Sequence, residues 1–179
     1  MCLEYFNKTQ LGILDEALDI AEDMTSNYFK LSVPEWKRHP FDVKTLTSLV
    51  GDDIRENAFA LLKKFMSAEN GGSAHYYRGR EFYMICLQDH QILGALRRDR
   101  ELRLLPLLTY ILTHELVHVI RFFKFEVRFD TEEDERRTKE EEVVHQKTYE
   151  ILNRLALPNL TYILNSYNPD PVNLDICMI

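Results

Sequence analysis

The chain has 179 residues, of which 45% are hydrophobic. That suits one globular domain with a sizeable core and excludes disordered and fibrous classes. A formal charge of −7 argues against general affinity for nucleic acid or anionic membrane, both of which attract surplus Lys and Arg. The N-terminal stretch meets Glu4 at once and carries no basic region followed by a pure apolar run, so it does not read as a secretory signal and a cytoplasmic protein is expected. Cys2, Cys86 and Cys177 are odd in number and far apart, which fits free thiols better than a disulfide framework. No CxxC zinc knuckle and no prenylation box is present.

Leu14, Ala17, Leu18, Ala21 and Met24 recur at helical spacing, which predicts an amphipathic helix from about Leu11 to Phe29. VPEWKRHPF, with the only Trp, reads as a proline-bounded loop. The stretch from Val43 to Gly72 predicts one or two further helices closed by Gly71 and Gly72. SAHYYRGREFYMICLQ is rich in aromatic residues and predicts a β-hairpin or paired strands, with a turn at Arg78 and Gly79. The segment from about Leu104 to Phe125 is apolar nearly all round, as a central buried helix should be. In the apolar run that starts just before it, at Leu102, Arg103, His114, Glu115, His118 and Arg121 exclude a lipid-facing span. A long helix is expected from about Thr131 to Leu155, capped by Asp130 or Thr131 and stopped by Pro158, with a short tail helix around LTYILNSY. The fold class expected is α+β, mostly helical, with a small sheet packed on the central helix. One domain, 1–179, comprises a helical part (1–70), a core (74–156) and a tail (157–179).

The central helix raises the question of function. In ILTHELVHVIRF, His114 and His118 stand four residues apart with Glu115 beside the first. On a helix these imidazoles project from one face and can serve a single ion, while Glu115 lies about 100° round the axis, where a general base for a metal-activated water would stand. Neutral imidazoles with one further ligand and an open position are what catalytic zinc requires. The packing alternative is costly, because buried ionisable groups need a partner or a metal.

A third ligand is sought in the last long helix. Its apolar stripe, Val144, Thr148, Ile151, Leu152 and Leu155, projects backwards onto Glu141 and His145. Both should face the central helix, whereas Glu140, Glu142 and most of TEEDERRTKEEE read as a solvated charge run.

THELVH followed about twenty residues later by EEVVH resembles the gluzincin branch of the zincin metallopeptidases, across roughly residues 74 to 156. The resemblance implies a zinc peptidase acting on a peptide or protein substrate. His114, His118 and Glu141 would be ligands, Glu115 the base, and His145 the supporting position four residues beyond the glutamate. That carry-over makes Glu141 the preferred third ligand, but family members more often carry Asp or Asn at the supporting position, a departure that leaves His145 as the alternative. The resemblance also implies that the strand in HYYRGREFYMICLQ is the edge strand on which an extended peptide would add. Val117 stands where many zincins have glycine.

Other readings use the same residues. Glu115 with His118 and Glu142 with His145 form two ExxH motifs; with Glu16 or Glu22 and Glu56 they would make a di-iron or di-manganese carboxylate bundle. A catalytically inactive zincin-like binding module is the third. Tyr149 and Arg121 are candidate donors to a developing oxyanion. His39, His75 and His90 are isolated, a setting in which histidine seldom binds a ligand.

Overall fold

The computed structural model describes residues 3–66, 81–124 and 134–167, apart from the side chains of Met66 and residues 134–136. The expected turn at Arg78 and Gly79, the stop at Gly71 and Gly72, the cap at Asp130 or Thr131, His75, Cys2 and Cys177 lie outside them.

Helix α1 runs Lys8–Phe29. It starts earlier than the periodicity suggests because Asn7 and Gln10 cap it reciprocally: Asn7 Oδ1 accepts from the Gln10 N–H at 3.0 Å and Gln10 Oε1 from the Asn7 N–H at 2.8 Å. Leu14, Ala17, Ala21 and Thr25 form its buried stripe. VPEWKRHPF is not a loop throughout. Val33–Arg38 is a short helix, α2, because Ser32 and Glu35 make a second capping box and Pro34 occupies a position where a missing N–H costs nothing.

The largest departure from expectation is between Val43 and Met66. Instead of helices this region supplies strands β1 (Phe41–Lys44) and β2 (Ala60–Met66), joined through two 3-10 turns at 46–48 and 51–53. Ala, Leu, Lys and Met favour helix locally, but pairing with β3 (Glu81–Leu87) overrides that weak preference. The sheet order is β1-β3-β2, with β1 parallel and β2 antiparallel to β3. Val43, Ile85 and Leu62 align across it and belong to the main core, whereas Leu61 and Cys86 on the opposite face meet Leu46 and Leu49 from the first 3-10 turn. The second turn begins at Gly51, whose φ of 51° suits a residue without Cβ.

Two polar side chains at the end of β3 tie these connections down. The buried Asp89 carboxylate accepts the N–H groups of Phe6 and Leu46, both at 3.0 Å. Gln88 accepts from the Arg55 N–H at 2.8 Å and donates to the Asp53 carbonyl at 2.9 Å. Helix α3 (Asp89–Arg98) follows, unforeseen although Asp89 opens it and Arg97 and Arg98 close it, in keeping with the helix dipole.

Helix α4 (Leu104–Phe123) lies at the centre, with α1, α5 (Asp134–Leu152), α6 (Leu160–Ser166) and the sheet around it. Nearly all of α4 is buried, as its uninterrupted apolar character requires. The principal core cluster draws on α1, β2, β3, α3, α4, α5 and α6. The fold is α+β, mostly helical, with a small mixed sheet packed on the HExxH helix. Among the described residues no helix is long and apolar enough to cross a membrane.

Candidate metal centre

Tyr110, His114, His118 and Phe122 are spaced by four along α4 and form one line of rings. Consecutive ring centroids are 6.2, 4.9 and 5.8 Å apart. The line faces α5, whose Val144, Thr148, Ile151 and Leu152 are buried as the stripe required. Glu141 therefore reaches both motif histidines. Its Oε2 is 3.3 Å from His114 Nε2, and its Oε1 is 3.2 Å from His118 Nε2.

Contact alone does not satisfy these groups. Both ring nitrogens of His114, Nδ1 of His118 and Oε2 of Glu141 are buried without a hydrogen-bond partner among the described residues. Such orphaned polar atoms normally cost about 1–3 kcal/mol each. His114 Nε2 and Glu141 Oε2 therefore stand 3.3 Å apart without a hydrogen bond that satisfies either. Glu115 is 4% exposed, and burial raises its pKa, an effect only partly offset by His114 and His118. Burial depresses His118, but the charges of Glu141, Glu115 and Glu140 outweigh it and leave His118 above its ordinary value. Burial likewise pushes Glu141 up, yet His118 and His114 overcome this and hold its carboxyl well below the usual range.

His145 completes a buried cluster. One ligand atom from each of His114, Glu141 and His145 lies within 4.8 Å of the others. Burial first, then the neighbouring His114, takes the His145 pKa down to about 3, so its ring is neutral. Tyr110, absent from the sequence-based site, approaches His145 Nδ1 at 2.8 Å and the Tyr167 carbonyl at 3.3 Å. Its position one turn before His114 was the available signal.

Several expectations require correction. Glu140 is not solvated: its carboxylate accepts from Arg121 Nε and Nη2 at 2.7 and 2.8 Å, and its Oε1 lies 3.8 Å from His118 Nδ1. Arg121 is thereby engaged by a carboxylate rather than free to donate to an oxyanion. Tyr149 sits on the exposed side of α5, 36% accessible, which does not suit oxyanion support. β3 is the central strand, bonded on both sides by β1 and β2, so no peptide can add to it. Glu16, Glu56 and Glu142 are exposed and Glu22 lines a groove beside Trp36, which removes the carboxylates a two-metal bundle would recruit. His39 stacks on Phe123 at 4.1 Å.

Comparison with family models, curated proteins and solved structures found no match for this chain.

Proposed function

We propose that the chain is a zinc-dependent hydrolase, with peptide bonds as the substrate class, whose metal centre is held by His114, His118 and Glu141. The observation that carries the reading is the Glu141 carboxylate set between the Nε2 atoms of two buried histidines on one helix face. The two separations, 3.3 and 3.2 Å, run from different oxygens of Glu141, so one carboxylate spans the two imidazoles that would hold the ion with it. The orphaned Nε2 of His114 and the orphaned Oε2 of Glu141, 3.3 Å apart, fit the same donor set, since one ion would satisfy both. When bound, zinc supplies Lewis acidity toward a carbonyl and acidifies water.

The chain's residues supply the rest. Glu115, next to His114, is raised by burial above its ordinary value, a shift in the direction that suits a group that must take and return a proton. The Arg121–Glu140 fork lies beside His118 and restrains the end of the motif against α5.

Two measurements test the reading. Elemental mass spectrometry of the purified chain is expected to give about one zinc per molecule, lost in His118→Ala. A peptide-library digest is expected to show cleavage that Glu115→Gln abolishes while keeping its zinc. Zinc retained without cleavage would leave a metal-stabilised binding module, and absence of zinc would remove the proposal altogether.

A further inference from the structure

The group whose ligand atoms all lie within 4.8 Å of one another is His114, Glu141 and His145, which makes His145 a donor in addition to the three proposed above. A ring nitrogen of His145 lies within 4.8 Å of ligand atoms on both His114 and Glu141, and the His145 and His114 rings are 4.6 Å apart. The surrounding hydrogen bonds decide which nitrogen is available. The Tyr167 carbonyl can only accept, and it lies 3.3 Å from the Tyr110 hydroxyl. If the Tyr110 proton goes there, the hydroxyl oxygen accepts from His145 Nδ1–H at 2.8 Å. That is the arrangement in which all three groups are satisfied. It leaves Nε2 of His145 with a lone pair, the tautomer that metal-ligating histidines adopt when their other nitrogen donates to a fixed acceptor.

We infer that His145, latched by Tyr110 and the Tyr167 carbonyl, is a fourth protein donor that closes the metal centre in the resting protein. The inference rests on the metal-centre reading above and adds a regulatory property to it. Three protein donors leave a position for water, whereas four close the site. With a metal bound, water or substrate would reach it only if His145 moved aside. Tyr110 comes from α4, His145 from α5 and Tyr167 caps α6, so the latch depends on the packing of three helices.

Cobalt(II) is the probe, loaded into the full chain and followed by visible absorption while azide is added. In the wild type a four-coordinate spectrum is expected that azide does not shift. His145→Ala should bind cobalt at least about 10-fold more weakly and respond to azide. Tyr110→Phe keeps the ring but removes the latch, and should respond at azide concentrations that leave the wild type unchanged. X-ray absorption should count three imidazoles in the wild type and two in His145→Ala. A wild-type spectrum that shifts readily with azide, or a count of two imidazoles, overturns the inference and leaves the metal centre standing. Failure of the wild type to take up cobalt removes both. Because the deciding arms use the wild type, misfolding of a variant does not obscure the result.

Discussion

Arg121→Met tests whether the fork beside the motif is a buried ion pair or surface decoration. Arg121 is 9% exposed and the Glu140 side chain 10% exposed, and two charge-assisted hydrogen bonds of 2.7 and 2.8 Å join them. Methionine preserves much of the aliphatic stem, so lost packing contributes little. The main loss is the cation, which leaves Glu140 inside the α4–α5 interface with His118 Nδ1 3.8 Å away. Removing one partner of a fully buried pair costs about 3–5 kcal/mol; the small solvent access here and the nearby imidazole reduce the expected loss to about 2–4 kcal/mol. For a domain of this size a loss of about 3 kcal/mol lowers Tm by roughly 6–12 °C. Glu140→Met should cost a similar amount, because it removes two charge-assisted hydrogen bonds from a buried guanidinium, while the double variant exchanges the pair for apolar packing and should recover most of the loss. The assay is urea unfolding of the chelator-treated protein in a double-mutant cycle, with an expected coupling of about 3–7 kcal/mol, the two single losses together less the small residual loss of the double variant, that barely changes with salt. Single variants costing less than about 0.5 kcal/mol, or costs that simply add, would refute the assignment of a buried pair.

The remaining expectations concern the centre and the core. Glu141→Ala and His118→Ala should each weaken zinc binding by more than about 100-fold, beyond what loss of an outer partner causes, as measured by competition with a chromogenic chelator. In the metal-free protein the Glu141–His118 pair gives a pH signature. The Glu141 pKa is lowered from 4.5, so its contribution is present above that value and is lost as pH falls toward the folded pKa. The His118 pKa is raised from 6.5, so the same contribution is complete below 6.5 and is lost as pH rises through the folded value. These are two views of one interaction; chemical denaturation across pH should find its effect fullest between 4.5 and 6.5, and Glu141→Gln should flatten that profile. Leu112, fully buried on α4, should cost about 2–5 kcal/mol when replaced by Ala, whereas Leu11, 39% exposed, should cost less than about 0.5 kcal/mol; thermal denaturation separates them.

What could be read from the sequence was whatever depends on spacing within one element. His114, Glu115 and His118 carry their geometry with them, because helix periodicity places them and an apolar run of that length has to be buried. Glu141 and His145 were reached by extending the stripe Val144, Thr148, Ile151, Leu152 backwards, a projection within a single helix. The failures lie where the deciding partner is distant in sequence. Ala60–Met66 contains good helix formers, and only pairing with Glu81–Leu87 makes it a strand. Helix periodicity alone turns Glu140 toward solvent, about 100° from Glu141, whereas its inward turn depends on where Arg121 emerges from the facing helix. Tyr110 showed the correct spacing but no reason to be polar until His145 and Tyr167 were placed against it.

Charge balance links the two helices to the proposed chemistry. Arg121 neutralises Glu140, which leaves Glu115 and Glu141 as two carboxylates among three buried imidazoles. Without an ion, protons must do the balancing: burial favours the neutral form of Glu115, and His118 holds a proton against ionised Glu141. A divalent cation can replace both protons at once, so two carboxylates and neutral imidazoles become a balanced set with no net buried charge. A packed core would need neither carboxylate, and apolar residues of similar size would remove the desolvation cost entirely. The excess of buried donors over partners around His114 and Glu141 is what a divalent cation at this cluster would relieve and what packing alone does not.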